Sequence, residues 1–400
     1  MDLSKYQSEH LLLLVGKNPL PNAVAGSLLV KQGGSITLLY TESTASMIGR
    51  FQKFLPKTRF ETPISLKEAD AHSIYEAVFK ALAESKGRSV GLHYTGGTKT
   101  MSVHAYAAAR RWSQDNQQPP PTFSYLDART LHLVIDPSDP LSHAPESEPI
   151  GDAIKIGLRE LITLHGWSFN KKKSVPRPQP LLPKTAAALA RLHSDAEAID
   201  VWKKYQNQNL KEWPLPLDDE LSDLRTALSE EFICSAERIE VVATLDKHKL
   251  EKNWLTGGFW LEHHVLKCLI ELNEEIENLR LHDCCQAVKI DVNDDQDFDL
   301  DVVALRGYQL FAFSCGVRSK PNDRGELKLK LFEAYVRARQ LGGDESRVAL
   351  VSTSPDPKSL QDELERDINS EGHIKVFGQK HLSNLKPLLG QWIKEQSRIT

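Results

Sequence analysis

Apolar residues come in short, dense runs at the start of the chain. His10–Gly16 carries Leu11–Leu14 and Val15 without alternation, the pattern of a strand buried on both faces, and Ser35–Tyr40 is a second such run. Helical spacing fills the intervals: Ala23–Val30 up to Gly33-Gly34, then Ala45–Leu55, then Asp70–Ser85 with Ile74, Val78, Ala81 and Leu82 on one stripe. Arg59–Ile64 reads as a short edge strand. Ser89–Tyr94 reads as a strand that turns through Thr95–Lys99 into a helix over Ser102–Ala109, and Thr122–Leu126 with Thr130–Ile135 as a closing hairpin. Strands alternating with helices over the first third of the chain predict a mostly parallel sheet with helices on both faces, a Rossmann-like domain.

The pattern changes at about residue 151. Asp152–Leu164, Leu181–Tyr205 and Leu217–Phe232 read as helices, separated by Lys171–Pro180, a basic and Pro-rich segment expected to be irregular. A solvated linker explains Lys171–Lys173 better than a nucleic-acid contact. The expected organisation is 1–150, an α/β domain; 151–245, a helical connector; and 246–400, a second α/β domain. In the last, Gly257-Gly258 opens a helix to Leu272, Cys284–Val292 is a strand, and Asp297–Leu305 pairs with Leu310–Cys315 across a turn at Gly307. Leu327–Leu341 reads as a helix, with late strands at Arg347–Ser352 and Ile374–Phe377.

Composition adds exclusions. Of 400 residues, 40% are apolar and 26% charged with a net charge of −4, so the chain is not coated for nucleic acid as a whole. No apolar run reaches membrane-spanning length and the N-terminus lacks the layout of a signal peptide. Five cysteines, an odd count, fit reduced thiols and a cytoplasmic protein.

Two places carry candidate chemistry. The first is Thr95-Gly-Gly-Thr-Lys99, a Gly-rich turn from strand into helix with hydroxyls and one cation, suited to hold phosphate at a helix N-terminus. An ordinary βα turn with threonine caps explains the same residues equally well. Neither the nucleotide-binding Gly-x-x-x-x-Gly-Lys pattern nor the dinucleotide Gly-x-Gly-x-x-Gly pattern is present. The predicted sheet puts Gly16–Asn22 and Thr41–Thr44 at the same edge, so the three turns are expected to share one cleft.

The second is Glu262 on a helix with Asp299 and Asp301 entering a hairpin. Phosphodiester hydrolysis needs clustered carboxylates around a divalent cation, which resembles the core of a metal-dependent nuclease. In that architecture the next strand supplies Glu-x-Lys, but here Ser314 and Gly316 stand at those places. Lys320, Lys328 and Lys330 are the candidates to replace the lysine. The plain alternative is an acidic surface hairpin.

Taken together, Val15–Asn22, Tyr94–Met101, Trp260–Glu262 and Asp299–Asp301 make the chain resemble CARF-domain ancillary nucleases of type III CRISPR systems. The resemblance implies a CARF domain joined to a PD-(D/E)xK nuclease domain and a homodimer that binds cyclic oligoadenylate, most often cyclic tetra-adenylate, across its two-fold axis. It implies that Asn18, Pro21 and Asn22 line base and ribose pockets, Thr41 and Thr44 the rim, that Thr95, Gly96, Gly97, Thr98 and Lys99 hold phosphate and ribose, and that Met101 also belongs to the ligand site. It further implies Mn2+ or Mg2+ at Glu262, Asp299 and Asp301 and cleavage of DNA, RNA or both. The loss of Glu-x-Lys leaves a second expectation: a sensor whose nuclease-like domain is silent and acts by binding nucleic acid or a partner.

Overall fold

A computed structural model describes residues 3–85, 87–137, 143–170, 175–206, 216, 218–234, 239–240, 254, 257–293, 295–317, 324–368, 370 and 372–397. The first part runs β1 (Ser8–Leu14), α1 (Leu20–Leu29), β2 (Val30–Tyr40), α2 (Met47–Phe54), β3 (Arg59–Phe60), β4 (Ile64–Ser65), α3 (Ala71–Ala83), β5 (Val90–His93), α4 (Lys99–Asp115), β6 (Thr122–Asp127), β7 (His132–Ile135) and β8 (Glu146–Pro149). Its sheet has the order β3-β2-β1-β5-β6-β7-β8, with β4 also on β2; β1, β2, β5 and β6 are parallel, and β7 and β8 return antiparallel. The chain leaves β1 to one side for β2 and comes back on the other side as β5. The crevice beyond the ends of β1 and β5 is therefore a switch point, where open α/β sheets bind ligands.

The remainder runs α5 (Leu158–Leu164), β9 (Ser168–Phe169), α6 (Pro183–Ser194), α7 (Ala196–Gln206), α8 (Ser222–Glu231), β10 (Ile233–Cys234), β11 (Ile239–Glu240), α9 (Phe259–Glu275), β12 (Leu281–Asn293), β13 (Gln296–Arg306), β14 (Gln309–Gly316), α10 (Arg324–Gly342), β15 (Arg347–Ser352), α11 (Pro357–Ile368), β16 (Ile374–Phe377) and α12 (Leu385–Gln396). A second sheet has the order β16-β15-β14-β13-β12-β9: an antiparallel β12–β13–β14 meander followed by parallel β15 and β16. Its β14 is buried along its whole length, between α9 on one face and α10 on the other. One apolar core passes from Leu11, Leu13 and Ile36 under the first sheet through Leu158, Leu161 and Ile162 to Leu305, Leu310, Leu331 and Leu350 in the second part. A separate core gathers α6 and α8 against α9 and α12.

Several elements differ from the sequence expectation. Gly33-Gly34 does not end a helix but lies inside β2, where Gly33 takes φ +79° as the pairing with β1 shifts register. The helix expected over Asp152–Leu164 is confined to Leu158–Leu164, because Gly157 starts it with Glu160 folded back on the Gly157 N–H. Leu181–Tyr205 breaks at Asp195, whose carboxylate accepts from the N–H groups of Glu197 and Ala198 and so caps a new helix. The helix after the Gly-rich turn is much longer than Ser102–Ala109, starting at Lys99 itself. In the Pro-rich segment, Arg177 pairs its backbone with Gln286 in both directions, so this stretch is laid against the second sheet; Lys171–Lys173 fall outside the described residues. Among the described residues no helix is long and apolar enough to cross a membrane.

Candidate functional site

The first site forms where Gly16, after β1, meets the turn after β5. A Cβ on Gly16 would lie 2.7 Å from the Gly97 nitrogen, and one on Gly96 would lie 2.0 Å from the Leu14 carbonyl oxygen, so only glycine permits this approach. Gly97 itself takes φ +76°. Asn22 is fully buried and donates to the Leu14 carbonyl at 2.7 Å, while its Oδ1 has no partner among the described residues and lies beside Gly96. Pro21 and Met101 are also buried. These three residues lie beneath the surface of the crevice.

The other predicted residues divide in the same way. Thr41 and Thr44 cap each other in the turn after β2 and are almost wholly covered. Thr95 accepts from the Leu126 N–H at 2.6 Å and ties the turn to β6. Thr98 caps α4 by accepting from the Met101 N–H at 3.2 Å and stays exposed, as does Lys99. Asn18 is half-buried, its Oδ1 accepting from the Leu20 N–H, with exposed Lys17 beside it. The groups left facing solvent are thus Asn18, Thr98 and Lys99 at the positive end of a 17-residue helix, with Lys17 added by the structure.

The second site lies on the other sheet. Glu262 occupies the first turn of α9, and Asp299 and Asp301 lie on one face of β13. Asp301 Oδ2 accepts from the Cys315 N–H at 2.8 Å and from the Ser314 hydroxyl at 3.3 Å. Ser314, at the expected glutamate position, therefore orients an aspartate instead of supplying a carboxylate. Burial pushes Glu262 well above the usual carboxylate range, and the adjacent Asp301 charge adds to this, with Lys330 and Arg177 acting against it. Asp301 is raised as well, first by burial and against the opposing Lys330 charge.

The space over Gly316 is taken by Lys330. A Cβ on Gly316 would lie 2.5 Å from a Leu327 methyl, which would have to turn aside, and the Lys330 Cδ runs 3.8 Å from the same point. Lys330 passes over Gly316 from α10 and donates to the Cys315 carbonyl at 2.9 Å. It lines both a cleft of about 310 Å³ with Asp299, Asp301 and Ser314 and a cleft of about 290 Å³ with Glu262 and Gly316. Lys328 is directed elsewhere, paired with Glu363 at 2.6 Å and Asp367 at 3.1 Å on α11. Lys320 lies outside the described residues.

Asp299 lines the same cleft as Asp301 but is engaged by a lysine. It pairs with Lys289 at 2.6 Å, directly across the β12–β13 ladder. Among the described residues no three His, Cys, Asp or Glu side chains converge as a metal site. Glu262 and Asp301 nevertheless fit a hard cation: two oxygen donors with raised proton affinity beside one lysine, with Asp299 one salt bridge away. Lys289 and Arg177 were not anticipated. Lys289 follows only from the hairpin register, which a bulge between Asp291 and Asn293 hides from simple counting.

No protein-family model and no curated protein matches the chain. Solved structures do. Can2 from Sulfobacillus thermosulfidooxidans, in complex with cyclic tetra-adenylate, superposes with a TM-score of 0.67 at 19% identity, covering 96% of this chain and 99% of that one. Protein VC1899 from Vibrio cholerae gives 0.68 at 17% identity, over 97% and 98%. The chain has the fold of these proteins. The likeness runs nearly end to end.

Proposed function

We propose that the chain is an ancillary effector of type III CRISPR systems: a homodimer that binds cyclic oligoadenylate, with cyclic tetra-adenylate the expected ring, and is thereby activated as a metal-dependent nuclease on DNA, RNA or both. We divide it into a CARF sensor, 1–150, a helical connector, 151–245, and a PD-(D/E)xK nuclease domain, 246–400. The observation that carries the nuclease reading is Lys330, which crosses Gly316 to stand with Glu262 and Asp301. The sensor reading is supported by the Gly16/Gly96–Gly97 contact at the switch point and by a shared fold with a protein solved with cyclic tetra-adenylate.

Glu262 and Asp301 would hold Mn2+ or Mg2+, with Asp299 joining after it leaves Lys289. The cation, when bound, would neutralise charge on the phosphate and acidify a water. Lys330 would stabilise the negative charge on the scissile phosphate and hold a proton near the attacking oxygen. In the sensor, Thr98, Lys99 and the α4 N-terminus would face the ring phosphates, and Asn18 a base or ribose. The Lys289–Asp299 pair favours the second reading, a silent nuclease-like domain, until it opens.

The test is cleavage of plasmid and of RNA with Mn2+, with and without cyclic tetra-adenylate, for wild type and Asp301→Ala. Cleavage that needs both the ligand and Asp301 is expected. Substrate left intact by the wild type, or equal cleavage by both proteins, would refute the nuclease reading.

A further inference from the structure

The turn after β1 and helix α2, which follows the Thr41–Thr44 turn, also touch the second part of the molecule, and both contacts lead to one helix. After β1, Asn18 has its Nδ2 only 2.3 Å from where a Cβ on Gly343 would stand, with Glu345 Oε2 2.7 Å from the same point. Gly343 has φ +68° and directly follows α10. After β2, Arg50 of α2 donates to the His165 carbonyl, and its guanidinium covers Gly166 so closely that a Cβ there would lie 2.4 Å from Arg50 Cζ. The His165 ring is buried and stacked on Trp167 at 4.6 Å. Burial lowers its pKa to about 4, so Nε2 keeps a proton on a neutral ring and donates to the Leu341 carbonyl at 2.8 Å. Leu341 is the second-last residue of α10.

Lys330 sits nearer the other end of that helix. From Lys330 to Gly342 is about 18 Å at 1.5 Å per residue. The inner side of α10, Leu331, Ala334, Tyr335, Ala338 and Leu341, is buried. A packed helix of this kind moves as a unit, by sliding, and does not absorb a displacement by bending at one residue.

We propose that Asn18, Arg50 and His165 are positioning residues for Lys330, acting through α10: occupancy of the sensor crevice shifts the C-terminal end of this helix and thereby sets Lys330 against Glu262 and Asp301. This rests on the function proposed above and names its transmission route. One contact comes from the turn that carries Asn18 and the other from α2, the helix that continues the Thr41–Thr44 turn; among the described residues neither lines the nuclease cleft. A ligand that binds one arrangement of these turns better than the other therefore biases the helix by that differential affinity.

His165→Phe keeps the ring on Trp167 and removes the donor to Leu341; Arg50→Gln removes the charge on the His165 carbonyl. Three quantities are read for each variant and the wild type: affinity for cyclic tetra-adenylate by calorimetry, ligand-stimulated cleavage with Mn2+, and hydrogen exchange of amides 331–343 with and without ligand. Affinity within twofold of wild type is expected, with stimulation reduced at least tenfold and the ligand-induced change in α10 exchange lost. A merely structural role would lower thermal stability without separating binding from stimulation. If His165→Phe does not fold, Arg50→Gln decides. Full stimulation in a folded variant overturns the proposal, as does wild-type α10 exchange indifferent to bound ligand. A wild type that binds the ring but does not cleave refutes the nuclease reading, and the exchange measurement still decides this one. A wild type that binds no ring overturns both.

Discussion

Replacing Lys330 separates a catalytic from a structural role for this side chain. Lys330→Met keeps a straight chain beside Gly316 and Leu327 but removes the ammonium that donates to the Cys315 carbonyl. Because Lys330 is largely exposed, the Cys315 carbonyl can regain a partner in water, so the stability cost should stay near the low end for a hydrogen bond, roughly 0.5–1 kcal/mol. Its electrostatic effect is larger than its structural one, since it opposes the raised proton affinity of both Glu262 and Asp301. Losing a proton-handling lysine costs about 10²–10⁴-fold in rate. The expected result is a cleavage rate lower by at least roughly a hundredfold, a shift of the alkaline-rising limb of the pH–rate profile to higher pH, and a melting temperature almost unchanged. Lys328→Met is the control: its pairs with Glu363 and Asp367 are surface ion pairs worth about 0–1 kcal/mol, and its activity should match wild type. The assay is ligand-stimulated cleavage with Mn2+ alongside thermal unfolding. Wild-type activity in Lys330→Met, or an equal loss in Lys328→Met, would refute the assignment.

Two further outcomes follow from the same geometry. Glu345 is buried, which raises its carboxyl to about 7, with Asp344 adding to the rise and Arg347 and Arg339 opposing it. An acid that binds its proton more tightly when folded makes stability fall as pH rises, here from the usual carboxylate range to about 7. Glu345→Gln should therefore be more stable than wild type at pH 8, by up to about 3 kcal/mol, and no more stable at pH 4; urea unfolding at both pH values measures it, and an equal gain at both would contradict the burial argument. Gly96→Ala places a Cβ 2.0 Å from the Leu14 carbonyl oxygen, a backbone atom with little freedom to retreat. It should cost about 1–3 kcal/mol by overpacking and weaken cyclic tetra-adenylate binding in a calorimetric titration; undiminished affinity would remove this turn from the ligand site.

Much of this molecule was legible from local pattern. Leu11–Val15 and Ser35–Tyr40 announce buried parallel strands because neither face is polar, and the Gly307 hairpin follows from its turn and flanking apolar runs. Helix limits were less legible, since Asp195 and Gly157 act through capping bonds that compete with otherwise continuous helical spacing. The carboxylates Glu262, Asp299 and Asp301 are visible as a spacing of acids across a helix and a strand. The bridge that engages Asp299 with Lys289 is not, because a bulge sets which lysine faces which acid.

The sequence by itself determined the two α/β sheets, the glycines at the crevice turn and the absence of Glu-x-Lys on β14. Among three candidate lysines it left the choice open. Tertiary packing separates two of them: α10 lies across β14 where Gly316 has no side chain, which brings Lys330 to the cleft, while Glu363 and Asp367 on a neighbouring helix draw Lys328 away. Likewise Asn22 and Met101 have polar or polarisable atoms suited to a ligand, and only the tertiary structure shows them buried against Leu14 and Gly97. Short-range spacing decides which elements form; which side chains reach a common point depends on how those elements cross, and no single segment encodes that.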